Sequence, residues 1–338
     1  MRVAVFETEQ WEHAACMRLA PAHEVVCRRD RLASDTAGLA EDAEAVSVFV
    51  HSDLSAAVLD RLPRLRLIAT RSTGYDHIDL YRCAQRGIAV ANVPDYGDRA
   101  VAEHAFALLL AVGRQVVAAA ERTRRGDFSQ DGLRGFELAG RTLGVIGTGR
   151  IGQRAISIGR GFGMRVLAHD ARPDQAAAIE HGFRYVALDE LLAEADVITL
   201  HVPGGPGTRH LISDAEIARM KPGAVLVNTA RGSVVDVAAL LRAVQSGRLG
   251  GAGLDVLPEE PLLRDEAQVF RMEPALDATR LQALLAGHSL LRHPNVVVTP
   301  HIAYATGEAL GRILDTTLAN IEAFARGEPR NLVALPSR

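Results

Sequence analysis

Two trains of short, unbroken apolar runs constrain what this chain can fold into. The first holds VAVF at 3–6, AVSVFV at 45–50, LRLIAT at 65–70 and IAVANV at 88–93. The second holds LGVIG from 143, MRVLAHD from 164, DVITLHV from 196, AVLVNTA from 224, GAGLDV from 251 and NVVVTPH from 295. A strand with one wet face alternates apolar and polar residues. Runs that are apolar throughout belong to strands covered on both faces, and helix-like segments between them supply the cover. The pattern predicts an α/β protein with two doubly wound parallel-sheet units. A length of 338 residues, beyond the usual single-domain range of roughly 100–200, agrees with two domains.

Between the trains, Val101, Ala105, Leu108, Leu109, Val112 and Val116 recur at helical spacing and predict one long helix near 100–125. A second amphipathic segment, 307–326, runs into Gly327 and Pro329, a helix stop. The longest apolar run, 105–113, is far shorter than the ~20 residues that span a bilayer. The first residues, MRVAVFETEQWEH, turn acidic too early for a signal peptide, so a cytoplasmic protein without membrane contact is expected. Apolar residues make up 48% of the chain and the net charge is −3, which argues against disorder and against a nucleic-acid partner. Cys16, Cys27 and Cys83 lie far apart with no C-x-x-C spacing, which suggests neither a zinc site nor a disulfide framework. Lys221 is the only lysine, and it stands before a Pro-Gly turn, a poor place for Schiff-base chemistry.

Gly147, Thr148, Gly149, Arg150, Ile151 and Gly152 read G-x-G-x-x-G directly after a strand and at the opening of a helix, and Asp170 closes the next strand. Gly147 permits the tight turn, Gly149 lets backbone approach a pyrophosphate, and Gly152 allows close helix packing. The helix N-terminus adds N–H donors and a positive dipole. Asp170 would accept from the ribose hydroxyls and repel a 2′-phosphate, which favours NAD over NADP, although Arg172 stands two residues on. In a doubly wound sheet, ligands sit outside the carboxyl ends of the strands. His201 and Pro203, Thr229 and Arg231, Asp255, and His301 all fall at such ends, where turn chemistry alone favours Asn, Asp, Gly and Ser. His301 with a glutamate could alternatively begin a metal site, but no third ligand stands at recognisable spacing.

These motifs carry a family resemblance. GTGRIG, NTARG at 228–232, LDVLPEEP at 254–261 and TPHIA at 299–303 together resemble the NAD-dependent D-2-hydroxyacid dehydrogenases. RSTGYDHIDL from 71, NVPDYGDRAVAEHAFALLL from 92 and FSQDGLRGFELAGRTLGVIGTG from 128 look most like the D-lactate dehydrogenase branch, so the resemblance spans nearly the whole chain. It implies a Rossmann NAD-binding domain, 99–298, inserted into a flavodoxin-like substrate domain, 1–98 plus 299–338. It also implies a homodimer or larger homo-oligomer, with a small 2-oxo or 2-hydroxy acid as the substrate.

The resemblance assigns Arg231 as the clamp on the substrate carboxylate. A guanidinium suits that task because its planar fork makes two contacts and keeps its charge. His301 matches the general acid/base. An isolated imidazole is mostly neutral at pH 7, so a carboxylate partner is needed to hold the proton, and Glu260 matches it. Glu259 is the alternative one position away. Cofactor contacts are implied at Val101, His201, Val202, Pro203, Thr229, Ala230, Arg231 and Asp255, the last of which could instead support the Glu–His pair. The substrate is expected to meet backbone N–H groups at Thr73 and Gly74 and the side chains of Tyr96 and Tyr304, the latter one helical turn beyond His301. His51 occupies a place where several lactate-type relatives carry tyrosine, which would admit a larger or wetter acid than pyruvate. The expected reaction is pyruvate reduction to D-lactate with NADH. Glyoxylate, hydroxypyruvate or phenylpyruvate reduction is the alternative, and a non-enzymatic NAD(H)-sensing corepressor-like role the distant one. Formate oxidation is disfavoured because formate-type relatives replace the glutamate partner.

Overall fold

The computed structural model describes residues 1–264 and 277–336. The chain divides into two compact units, one made of Met1–Tyr96 with Ala305–Arg338 and the other of Gly97–Tyr304. His301 therefore belongs to the larger unit, whereas the resemblance put residues from 299 with the substrate domain.

The smaller unit is built on β1 (Arg2–Val5), β2 (Glu24–Cys27), β3 (Ala45–Val48), β4 (Leu67–Thr70) and β5 (Ala89–Ala91), all parallel, in the order β2-β1-β3-β4-β5. Successive side chains of a strand point to opposite faces, and both faces here are apolar. Ala4, Val46, Ile68 and Val90 pack with Leu54, Leu59 and Leu62 on one side. Val3, Val5, Ala45, Leu67 and Ala69 pack with Cys16, Leu19, Leu318 and Ile321 on the other. The last two come from the helix Gly307–Ala325, whose N-cap Thr306 accepts from Ala309 N. Sheet order turns at β1/β3, so the loops after those strands lie at this unit's switch point.

The larger unit carries β6 (Thr142–Ile146), β7 (Arg165–His169), β8 (Arg184–Tyr185), β9 (Val197–Leu200), β10 (Ala224–Asn228), β11 (Leu249–Leu254) and β12 (Val296–Val298). They form a parallel sheet in the order β12-β11-β10-β9-β6-β7-β8. Order turns at β6/β9, the Rossmann switch point. Leu143, Val145, Val197, Val225 and Val227 face a layer that includes Ala105, Phe106, Leu108 and Leu109. Ile146, Ile198, Leu200 and Leu226 face the opposite layer with Leu191, Ile217 and Leu240.

The long helix expected near 100–125 is two helices, Asp98–Gly113 and Val116–Arg124, bent by 63°. Gln115 takes a left-handed backbone, φ 52°, and Phe136 N–H bonds the carbonyl of Gly113 at 2.9 Å in place of a helical donor. Gly113 has no side chain to hinder that approach. Among the described residues, no single helix is long and apolar enough to cross a membrane.

Candidate active site

The glycine loop follows β6, and each of its three glycines answers a different steric demand. Gly147 sits at φ 93°, and a Cβ there would lie 2.5 Å from the carbonyl oxygen of His201. A Cβ on Gly152 would lie 2.0 Å from the carbonyl oxygen of Gly147, so the helix Arg150–Gly161 could not seat against the loop. A Cβ on Gly149 would meet nothing within 4 Å: this glycine faces open space at the helix N-terminus, where a pyrophosphate would approach. Arg150, in the first turn, pairs with Asp98 at 2.7 Å, and Ile151 is half-buried beside the core.

Asp170, just beyond β7, accepts from Thr148 N at 2.7 Å, Thr148 Oγ1 at 3.0 Å and Arg172 N at 2.8 Å. Burial alone would raise this carboxyl. The hydrogen bonds from Thr148 and Arg172 outweigh it and hold the group below its ordinary range, so it stays ionised. Sequence reasoning missed Tyr185, on the two-residue strand β8, whose hydroxyl lies 2.7 Å from Thr148 Oγ1 and braces the same corner.

Two orphaned polar atoms mark the ends of β9 and β10. His201 Nε2 bonds Thr199 Oγ1 at 3.0 Å, while its Nδ1 is buried with no partner among the described residues, as is Thr229 Oγ1. Burial lowers the His201 imidazole from 6.5 to about 4, so the ring is neutral at pH 7. Unmatched buried polar atoms are costly, and a ligand is one way to satisfy them. A dinucleotide entering at the Gly149 opening would be one ligand able to satisfy them. Val202 and Pro203 continue from His201, and Val101 lies in the first turns of the helix Asp98–Gly113.

Arg231 leaves β10 through a turn fixed by buried Asn228, whose amide accepts from Ala230 N at 2.9 Å and donates to Arg231 O at 3.0 Å. This is how an apolar strand delivers a guanidinium to its carboxyl end. The stem of Arg231 lies over Gly204, where a Cβ would be 2.9 Å from Cγ. Next to it, Gly232 presses on the backbone of Leu257 and Pro258, where a Cβ would come within 2.5 Å. The arginine loop is thereby held against the segment that leads into the short helix Glu260–Arg264.

His301 Nδ1 lies 3.2 Å from Glu260 Oε2, and Glu260 Oε1 accepts from Leu257 N at 3.1 Å. Glu259 points elsewhere, to Arg280 at 2.9 and 2.7 Å. Of the two glutamates, Glu260 is the one beside His301. His301 itself is left-handed, φ 55°, a conformation that costs a non-glycine residue about 1–3 kcal/mol unless its surroundings hold it. Asp255, 1% exposed at the end of β11, supplies that hold. Its carbonyl accepts His301 N at 2.9 Å, and its carboxylate accepts Thr299 Oγ1 at 2.6 Å, Ile302 N at 2.9 Å and Ala303 N at 2.8 Å. Burial pushes Asp255 up, but hydrogen bonds from His104, Thr299, Ala303 and Ile302 together bring it below the usual carboxylate range. This carboxylate is directed to the His301 turn. Tyr304 lies in that turn and not on a helix as expected, because the helix begins only at Gly307.

The remaining candidates belong to the smaller unit. His51 follows β3, its N–H bonding Glu7 Oε1 at 3.0 Å and its ring meeting Phe49 edge-on. Thr73 and Gly74 follow β4; Thr73 Oγ1 donates to Val93 O at 2.9 Å, and Gly74 O accepts from Ser72 Oγ at 2.6 Å. Tyr96 is half-buried, and its carbonyl accepts from the Arg312 guanidinium at 2.7 and 3.0 Å.

Comparison with known proteins finds relatives over nearly the whole chain. The family described as D-isomer specific 2-hydroxyacid dehydrogenase, NAD binding domain, matches residues 106–303. The D-lactate dehydrogenase of Escherichia coli is 38% identical, over 98% of this chain and all of its own length. A glyoxylate reductase of Thermococcus litoralis is 36% identical over 98% of this chain and 97% of its own. The Aquifex aeolicus D-lactate dehydrogenase, solved with NAD and lactic acid, superposes with a TM-score of 0.85 at 38% identity, covering 99% of this chain and all of its own.

Proposed function

The chain belongs to the D-isomer specific 2-hydroxyacid dehydrogenases, NAD-dependent oxidoreductases, and from that premise we propose that it is a D-lactate dehydrogenase reducing pyruvate with NADH. The single observation that carries the catalytic assignment is the His301–Glu260 contact at 3.2 Å. With Nδ1–H donated to Glu260, Nε2 is the nitrogen that exchanges a proton with substrate. As imidazolium, His301 gives that proton to the carbonyl oxygen; in the reverse direction the neutral ring takes it from the hydroxyl. Glu260 stabilises the charged ring and fixes its tautomer. Arg231 binds the substrate carboxylate and polarises the carbonyl. NADH, held at the glycine loop and Asp170, would supply the hydride.

In this reading the Gly97–Tyr304 unit holds the cofactor. The candidate substrate contacts are the backbone of Thr73 and Gly74 with Tyr96 and His51 in the smaller unit, and Tyr304 in the larger. The 40 residues between Glu260 and His301 support the lactate branch. His51 and the glyoxylate reductase relatives support the second reading, a reductase of glyoxylate, hydroxypyruvate or phenylpyruvate. We also propose a homodimer: the helix Val116–Arg124 buries none of its residues, and Val116 and Val117 are exposed. Light scattering on the purified protein reads its mass.

Steady-state rates on a panel of 2-oxo acids, run with NADH and NADPH in parallel, test the assignment. Pyruvate with NADH is expected to give the highest kcat/KM. A higher value for a bulkier acid refutes lactate, and NADH binding without turnover of any 2-oxo acid favours a sensing role.

A further inference from the structure

We propose that His104 is a positioning residue for the reaction, acting on His301 through Asp255 and Thr299. The inference rests on the acid/base role given to His301 above. Its starting point is a match of periods between a helix and a strand. His104, Leu108 and Val112 stand four residues apart along one face of the helix Asp98–Gly113, at steps of ~6 Å. Asp255, Gly253 and Gly251 share one face of the β11 chain, at steps of ~6.6 Å.

The two rows lie against each other. A Cβ on Gly253 would be 2.8 Å from Leu108 Cβ, and one on Gly251 would be 2.7 Å from Val112 Cγ1. The next step along both rows brings His104 to Asp255. His104 Nε2 lies 2.9 Å from Thr299 Oγ1 and 3.4 Å from Asp255 Oδ1, and its side chain is 20% exposed.

The donor count fixes the proton on this ring. Thr299 has one hydroxyl proton, and it goes to Asp255 Oδ1 at 2.6 Å. The threonine oxygen can then only accept from His104, so Nε2 carries hydrogen. Asp255 uses its remaining capacity on Ile302 N and Ala303 N, the two residues that follow left-handed His301. Without His104 the threonine oxygen loses its donor and the Asp255 carboxylate loses a facing imidazole at 3.4 Å, so the network that anchors the His301 turn is weakened. A displacement of ~1 Å in a reacting group is enough to cost on the order of 100-fold in rate.

The test compares His104→Ala, His104→Gln and His301→Ala, each read by kcat, KM, NADH affinity from fluorescence titration, and the solvent deuterium isotope effect on kcat. His104→Ala is expected to lower kcat by ~10- to 100-fold with KM and NADH affinity nearly unchanged, and to raise the isotope effect as proton transfer slows. His104→Gln returns an N–H donor at the Nε2 position and is expected to recover much of the loss. Wild-type kcat in His104→Ala, with His301→Ala inactive, overturns this inference alone. An active His301→Ala overturns both it and the reading beneath it. A His104→Ala defect confined to NADH affinity, or one that glutamine does not relieve, also refutes positioning of His301.

Discussion

Replacing Gly253 by alanine tests the seating of the helix Asp98–Gly113 on β11. The new methyl would sit 2.8 Å from Leu108 Cβ, 3.4 Å from its carbonyl carbon and 3.5 Å from its carbonyl oxygen. Carbon atoms pack best at ~3.5–4.0 Å, so the helix must retreat by about 1 Å. Leu108 cannot yield alone, because its Cβ is fixed by the helix backbone and no rotamer moves it. The retreat loosens Ala105, Phe106, Leu109 and Val112, which pack in the same layer. Overpacking of this kind costs about 1–3 kcal/mol, or a Tm drop of roughly 2–4 °C per kcal/mol for a domain of this size. The same movement carries His104 from 2.9 Å to beyond the ~3.2 Å reach of a good hydrogen bond to Thr299, so kcat should fall as well. Gly311→Ala is the control: this glycine is exposed in the helix Gly307–Ala325 with nothing within 4 Å of a Cβ, and alanine there should stabilise by about 0.5–1 kcal/mol. Thermal unfolding by circular dichroism and initial rates are the assays. A Gly253→Ala protein with wild-type Tm and kcat would refute the close helix–strand contact.

Two further outcomes follow from the larger unit. The folded-state pKa of His201, about 4, lies below its reference of 6.5, so the unfolded chain takes up the proton first. Stability is intact above pH 6.5 and falls as pH drops toward 4, by about 3 kcal/mol from this residue. Urea unfolding at several pH values should show that decline in the wild type reduced in His201→Gln, and parallel curves would contradict it. Glu260→Gln should lower kcat/KM by roughly 100-fold at neutral pH. Glu259→Gln, which loses an exposed pair with Arg280 worth at most ~1 kcal/mol, should keep wild-type rates; the opposite ranking would reverse the register.

Where a strand is buried on both faces, its sequence was enough to find it, since only unbroken apolar residues satisfy that place. β2 and β8 escaped because EVVC and RY are edge strands, short and flanked by charge, and an edge needs no such run. The glycine loop was legible for a local reason: turn, approach and packing all act within a few residues, and at Gly147 and Gly152 the backbone leaves no room for a side chain. Arg231, His301 and a glutamate were nominated through motifs that resemble a family. Tertiary structure alone decided the rest. Glu259 and Glu260 are chemically equal in the chain, and only backbone direction sends one to Arg280 and the other to His301. Asp255 bonds Thr299, Ile302 and Ala303, 44 to 48 residues away, contacts that no local spacing announces. His104 carries no local signal, because its meaning depends on a helix and a strand more than a hundred residues apart lying in step, a relation that one-dimensional spacing does not contain.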